Sequence, residues 1–325
     1  MKAIIASGYG GPEVLSVSDQ PEPQPEPNQV KIRVHFANIS KADTMMRTGK
    51  PLIGRLFTGL IKPKNPITGT GYAGVIEDIG AQVNDFKIGD QVYGESIEHF
   101  SAHAEYLCLD SHSIVRKLPK GVSLPQAAAL CDGALTAYNF LFKLGKLKSG
   151  ERILVNGASG NVGSTAVQLA KIAGAHVTAV CSQANMDMVK RLGADHVIAY
   201  DVENIDYSQP QYHMIFDAVG TLCIKQASSA LTENGSFLCP VLSAHLLFKV
   251  LSSKILGKKR FLFSATGLLP HDLLNTYLSE MEPYLSSGKL QVVIDKSLAP
   301  EEIRHAHEYV DTNRKKGSLL LDFIK

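Results

Sequence analysis

The chain has 325 residues, 45% hydrophobic and 20% charged, with a net charge of +2. That length suits two domains and a large buried core. Near-neutral charge excludes the basic footprint of a nucleic-acid binder, and no uncharged apolar run reaches the roughly 18 residues of a membrane-spanning helix.

The stretch to about residue 130 reads as short strands punctuated by turns. Met1-Lys2 leads directly into Ala3-Ile4-Ile5, a strand rather than a secretory leader. Pro21 to Pro27 is a loop between two early strands, and Val30 to Phe36 alternates with the period of a strand. Ile114 to Leu118 is a further short strand. His99 and His103 have no thiol or carboxylate cluster near them in sequence and are expected at the surface or a cleft rim.

The character changes at Leu124. Pro125 to Leu144 is helical, and from Arg152 short apolar strands alternate with helices. The strands are Ile153–Val155, His176–Val180, His196–Ile198 and Met214–Phe216, and the helices lie near 162–173 and 184–192. This alternation implies βαβ units around a parallel sheet. His245 to Arg260 reads as a basic amphipathic helix with Leu247, Leu251 and Ile255 spaced four apart and Leu246 and Val250 beside them. Such a stripe most simply covers the protein's own core; membrane contact is the less favoured reading. His305 and His307 stand two apart on a helix, face different ways and cannot share a metal, so an exposed helix is expected there.

The strongest chemical signal follows the strand ending at Val155. Gly157-Ala158-Ser159-Gly160-Asn161-Val162-Gly163 has glycines three apart and opens a helix. Glycine permits a tight turn and close approach of a pyrophosphate, and the helix N-terminus presents free N–H groups to it. The second strand of the unit ends at Cys181-Ser182, where an NAD-selective site carries Asp or Glu. Here the turn reads Ser182-Gln183-Ala184-Asn185, without an acid. Ser182 and Asn185, joined by Tyr200, could donate to a 2′-phosphate, which favours NADP over NAD. Alternatively, these residues cap the next helix.

The glycine segment resembles the medium-chain dehydrogenase/reductase superfamily, in its zinc-free quinone oxidoreductase branch. The same resemblance runs through Phe86–Val92, Leu135–Tyr138, Leu192–Ile198, Phe216–Gly220 and Ser287–Asp295. It implies an α/β fold: a GroES-like, mostly β catalytic domain at 1–130 and 267–325, and a Rossmann-type doubly wound parallel sheet at 131–266. It also implies NADP(H) bound between the domains, with Thr136, Ala218 and Val219 joining the glycine turn, and a homodimer. Metal-ligand positions of zinc-dependent members are held here by Ser40 and Thr70, and the cysteine-rich zinc lobe is absent, so no zinc is expected. Relatives often carry an acid at Gly71 and a base near Ala184, and Met45-Met46 would either border the substrate or pack into the core.

Without zinc, a substrate carbonyl must be polarised by hydrogen-bond donors, for which Ser40, Thr136 and Tyr72 are the candidates. No strongly activated general acid is apparent. Quinones, enones or other small carbonyl compounds are the expected substrates. The alternatives are a zinc-free alcohol dehydrogenase and a nucleotide-bound scaffold. Five scattered cysteines without a C-x-x-C pair suit a reducing, cytoplasmic location.

Overall fold

The computed structural model describes residues 1–50, 52–98, 100–209, 211–256 and 258–325; His99 lies outside them, as does the side chain of Ile255. The chain begins with β1 (Lys2–Ala6), β2 (Leu15–Asp19), β3 (Gln29–Ile39), α1 (Lys41–Thr48), α2 (Arg55–Thr58) and β4 (Gly71–Ile79). It continues through β5 (Gln91–Glu95), β6 (Tyr106–Asp110), β7 (Ile114–Lys117) and α3 (Leu124–Tyr138). The alternating region holds β8 (Arg152–Asn156), α4 (Asn161–Ile172), β9 (His176–Cys181), α5 (Met186–Arg191) and β10 (His196–Ala199). β11 (Tyr212–Asp217), α6 (Ile224–Ser229), β12 (Leu231–Leu238), α7 (Ala244–Leu256) and β13 (Arg260–Leu262) complete it. The last elements are α8 (His271–Ser286), β14 (Ile294–Leu298), α9 (Ile303–Asp311) and β15 (Ser318–Asp322).

Two units result. The first comprises Met1–Asp132, Pro270–Glu282 and Val292–Lys325; the second comprises Gly133–Leu269 and Pro283–Gln291. Pro283–Gln291 joins the second because Gln168 clamps Gln291 twice, with Nε2 donating to its carbonyl at 2.9 Å and Oε1 accepting from its N–H at 2.7 Å.

The first unit is built on the sheet β14-β15-β3-β4-β5-β7, with β6 also paired to β3 and β1 paired to β2. Except for β14–β15, these pairs are antiparallel. The Pro-rich segment runs as a loop from β2 to β3. Its core gathers Ile4, Leu15, Ile32, Ile76 and Leu107 with Ile303 of α9.

In the second unit the order is β10-β9-β8-β11-β12-β13, every pair parallel. Numbered from β8 this is 3-2-1-4-5-6, so the order reverses between β8 and β11. Doubly wound sheets bind ligands at the carboxyl ends of the strands at such a point.

Three expectations change. His103 is wholly buried, its ring nitrogens bonded to Thr68 Oγ1 at 2.8 Å and to the Asn38 carbonyl at 3.0 Å. His305 is exposed, but His307 is wholly buried on the inner face of α9. On α7 the side chains that pack are Leu246 and Val250. Leu247 and Leu251, read as part of the same apolar face, are exposed along with Phe248. The two stripes lie one residue, about 100° of helix, apart.

Candidate active site

The glycine turn joins β8 to α4. Gly157 has φ +76°, and a Cβ there would sit 2.1 Å from Val219 Cγ2, so both conformation and space demand glycine. A Cβ on Gly163 would sit 2.1 Å from the Gly157 carbonyl oxygen, so this glycine lets α4 close onto the turn. Gly160 differs: a Cβ there would meet nothing nearer than the Gly157 oxygen at 3.5 Å. Its lack of a side chain serves no packing need, which leaves the approach to the α4 N-terminus open.

Gly160 is the N-cap and offers no side chain to the first turn of α4. The first-turn N–H groups have no partner within a helix and carry its positive dipole end. Asn161, nearly buried, has an Nδ2 without a hydrogen-bond partner among the described residues. Ala158 is buried, while Ser159, Gly160 and Val162 are partly open. A cradle of free donors beside an uncovered glycine fits the pyrophosphate of a dinucleotide.

Across the switch point, Asp217 ends β11 and organises the facing loop. Its Oδ1 accepts from Gly220 N at 2.9 Å and from Asn156 Nδ2 at 2.8 Å, and its Oδ2 accepts from Leu222 N at 2.8 Å. This holds Ala218 and Val219 beside the glycine turn. Sequence reading missed Asp217; the signal was an acid at the carboxyl end of a central parallel strand.

At the end of β9, neither Ser182 nor Asn185 makes a side-chain cap bond to the following helices, so the capping alternative fails. Ser182 is partly open, Asn185 is nearly buried with Oδ1 unpartnered, and the Tyr200 ring is exposed. An acid does stand at this turn, however. Asp201, following β10, accepts from Gln183 N at 2.8 Å through Oδ1. The expectation of an acid-free turn is corrected: the carboxylate comes from the next strand rather than from the turn itself.

Of the other candidates the first unit holds Ser40 and Tyr72, and the second holds Thr136. Ser40 is buried at the N-cap of α1, its Oγ accepting from Ala42 N at 3.1 Å and Asp43 N at 3.4 Å, while Asp43 Oδ2 accepts from Ser40 N at 2.7 Å. This capping box uses the oxygen lone pairs and leaves the hydroxyl proton to donate. Tyr72 is wholly buried and donates to the Ile114 carbonyl at 3.1 Å, and burial pushes its phenol well above the ordinary range. Its proton is committed inside the β core, which removes it from the donor set. Thr136 lies on α3, partly open.

Asp132, one turn before Thr136, was not anticipated. It is the one charged residue between Lys120 and Lys143, a signal visible in the sequence. Although its outer edge is partly open, surrounding protein desolvates the carboxyl and raises its pKa to about 6. Asp43 adds to the rise, and Lys315 and a hydrogen bond from Ser40 oppose it. Glu95, nearly buried on β5, is held well above the usual carboxylate range by burial and then by Asp132 and Asp43. Glu95 pairs in register with Gly71 across β4–β5. A Cβ on Gly71 would be 3.2 Å from Asn38 Cβ. Neither Asn38 Oδ1, Asn38 Nδ2 nor Glu95 Oε1 has a hydrogen-bond partner among the described residues. Among those residues no three His, Cys, Asp or Glu side chains are placed to hold a metal.

Residues 26–146 match the family model of the alcohol dehydrogenase GroES-like domain, and residues 161–283 match that of zinc-binding dehydrogenase. The chain is 31% identical to 2-methylene-furan-3-one reductase of Solanum lycopersicum, over 99% of this chain and 79% of that one. It is equally 31% identical to the NADPH-dependent alkenal/one oxidoreductase, chloroplastic, of Arabidopsis thaliana, with the same coverage of 99% and 79%. The solved quinone oxidoreductase from Coxiella burnetii superposes with a TM-score of 0.87 at 28% identity, covering 99% of each chain. The first unit is thus GroES-like and the second Rossmann-type, and the chain is an oxidoreductase that belongs to the medium-chain dehydrogenase/reductase superfamily, in its zinc-free quinone oxidoreductase branch.

Proposed function

We propose that this chain is an NADP(H)-dependent reductase of enones and quinones that works without zinc. The observation that carries the reading is the glycine turn, where an uncovered Gly160 and the unpartnered Asn161 Nδ2 stand at the N-terminus of α4. The relatives' names, an enone-type furanone reductase and an alkenal/one oxidoreductase, support the substrate class.

In this reading Gly157 to Gly163 hold the pyrophosphate, Ala218 and Val219 border the cofactor, and Ser182, Asn185 and Tyr200 face the 2′-phosphate. The Asp201 carboxylate stands close to that phosphate and keeps the preference over NAD modest. Bound in this cradle, the nicotinamide supplies a hydride. Thr136 offers a hydroxyl to the substrate oxygen, and Ser40 donates its remaining proton to Asp132. Ser40 and Thr70, which stand where zinc-dependent members place ligands, are poor metal donors.

A panel of enones, quinones and saturated ketones, mixed with NADPH and the protein, tests this. Oxidation of NADPH by enones or quinones, at least a hundredfold faster than by saturated ketones, is the expected result. Oxidation by none of them would overturn the reading.

A further inference from the structure

We propose that the outward face of α7 and the basic groove beside it form a docking surface for an anionic lipid membrane. Both features belong to the second unit alone, and neither takes part in the hydride transfer read above.

The amphipathic segment 245–260 could cover the core or meet a membrane, and the helix divides between the two. Leu246 and Val250 pack inward, against the cluster that holds Phe237 of β12 and Phe261 of β13. Leu247, Phe248 and Leu251 stay 46%, 67% and 57% exposed. At about 100° per residue, these three lie within roughly 100° of helix arc and are turned away from the packed pair. Two leucines and a phenylalanine side by side on an outer face make a patch, not a scatter of single exposed residues.

The charge around the patch decides what can cover it. From Asn234 to His271 the sequence carries Lys249, Lys254, Lys258, Lys259 and Arg260, and no Asp or Glu. Beside the helix lies an open groove of about 430 Å³, walled by Lys249, Ser252, Ser253, Lys258, Lys259 and Glu233, with Phe261 at its base. Lys249 Nζ stands 5.8 Å from the centre of the Phe261 ring, and Lys259 Nζ donates to the Ser228 carbonyl at 2.5 Å. The one acid of the wall, Glu233, pairs with Lys258. Both partners are well exposed, so the pair contributes little and exchanges readily for another anion. The Ser252 and Ser253 hydroxyls donate to carbonyls of their own helix, of Lys249 at 3.3 Å and Val250 at 3.2 Å. Bonds of that length are weak enough for a headgroup oxygen to replace.

This is the pattern of a helix that lies in a membrane interface: lysines at headgroup level, with leucine and phenylalanine reaching the acyl boundary. A second copy meeting the same face across a two-fold axis would set these lysines against their own kind. An anionic bilayer meets them with opposite charge. Among the described residues no helix is long and apolar enough to cross a membrane, so the contact is peripheral.

The chain contains no Trp, so Phe248→Trp places a sole indole on the face. Its emission should move to shorter wavelength on adding vesicles of equal parts phosphatidylglycerol and phosphatidylcholine, and stay in place with phosphatidylcholine alone. His196→Trp, on β10 at the opposite edge of the same sheet, should respond to neither. In flotation, the full wild-type chain should rise with the anionic vesicles at low salt and be released at high salt. Phe248→Ser combined with Leu251→Ser should weaken that binding by about tenfold or more, while melting with the wild type because neither side chain is in the core. Lys249→Gln combined with Lys258→Gln should weaken it by about tenfold. Binding to neither vesicle, equal binding to both, or undiminished binding by the serine variant would overturn the proposal. Saturation by free glycerol phosphate with no binding to vesicles would mark a soluble-anion site. A wild-type dimer that the serine variant splits, again with no binding to vesicles, would mark a second copy as the occupant. Either result overturns the membrane assignment and leaves the oxidoreductase reading untouched.

Discussion

The glycine turn of the second unit and the acid-bearing face around Asp132 in the first are built on opposite principles. The turn works through backbone: its φ angle at Gly157, the close packing at Gly163 and the free N–H groups of α4 are fixed by residues within one short segment. The acid face works through burial: Asp132, Glu95, Asp43 and Lys315 come from four distant stretches and acquire their properties only when enclosed together. A local device can be read from a local pattern. An electrostatic device assembled in space cannot.

The largest expected effects lie in the turn and divide its glycines. Gly160→Val should leave the melting temperature near that of the wild type but weaken NADPH binding by more than about a hundredfold, or roughly 2.8 kcal/mol, because the added atoms point into the open approach. Gly163→Val should instead fail to fold stably, since its Cβ would lie 2.1 Å from the Gly157 oxygen. Thermal melts and fluorescence titrations on the two variants check this. Equal behaviour of the two would break the distinction between a ligand-facing and a packing glycine.

Burial chemistry in the first unit makes a prediction of similar size. His307 is wholly enclosed, neither ring nitrogen has a hydrogen-bond partner among the described residues, and burial first, then His103 and Arg47, lower its pKa to about 3. Unfolded, it titrates near 6.5. Between those values the unfolded chain binds the extra proton, so stability falls as pH falls through the window. At pH 5 the loss from this group is about 2 kcal/mol. Urea unfolding at pH 7 and pH 5 should show it as the difference between wild type and His307→Leu. Identical pH slopes in the two proteins would show that the ring is not desolvated as described.

A smaller effect sharpens the comparison from within the legible region. Ser182, Asn185 and Tyr200 were read from sequence, yet Asp201, which bonds Gln183 N at 2.8 Å, was not, because it follows a different strand. Wild-type preference for NADPH over NADH should be about tenfold, near 1.4 kcal/mol. Asp201→Asn should raise it severalfold by removing a charge beside the phosphate. Ser182→Asp should reverse it. Parallel binding measurements with both cofactors decide. An unchanged ratio in both variants would mean that this turn does not meet the adenosine ribose.

The same contrast explains how far the sequence could be read. Strand and helix alternation from Arg152 onward gave the parallel sheet, because period and punctuation are local. The resemblance implied a doubly wound sheet, but the order of its strands and the switch point came only from the structure, because strand neighbours are not a local property. Tyr72 was read as a donor with no strand assigned to it, and the structure puts it on β4 with its ring in the core. On α7 the sequence contains two apolar stripes one residue apart, and the one that packs was chosen by tertiary neighbours such as Phe261. His103 read as a surface or cleft-rim residue because no thiol or carboxylate cluster stands near it, and His307 as exposed because it stands two residues from His305 on a helix. Asp132 was visible as a lone charge in an apolar helix, yet its elevated pKa depends first on burial and then on Asp43, far away in sequence.

The central proposal is hydride transfer from the nicotinamide cofactor to a conjugated carbonyl. The most direct measurement uses NADPH carrying deuterium at the transferring C4 position and an α,β-unsaturated ketone in ordinary water, with the product examined by NMR. The predicted product has cofactor-derived deuterium at the β-carbon and solvent-derived hydrogen at the α-carbon, in a single configuration where that carbon is prochiral. A product with no deuterium at the β-carbon, or no product at all, would contradict it.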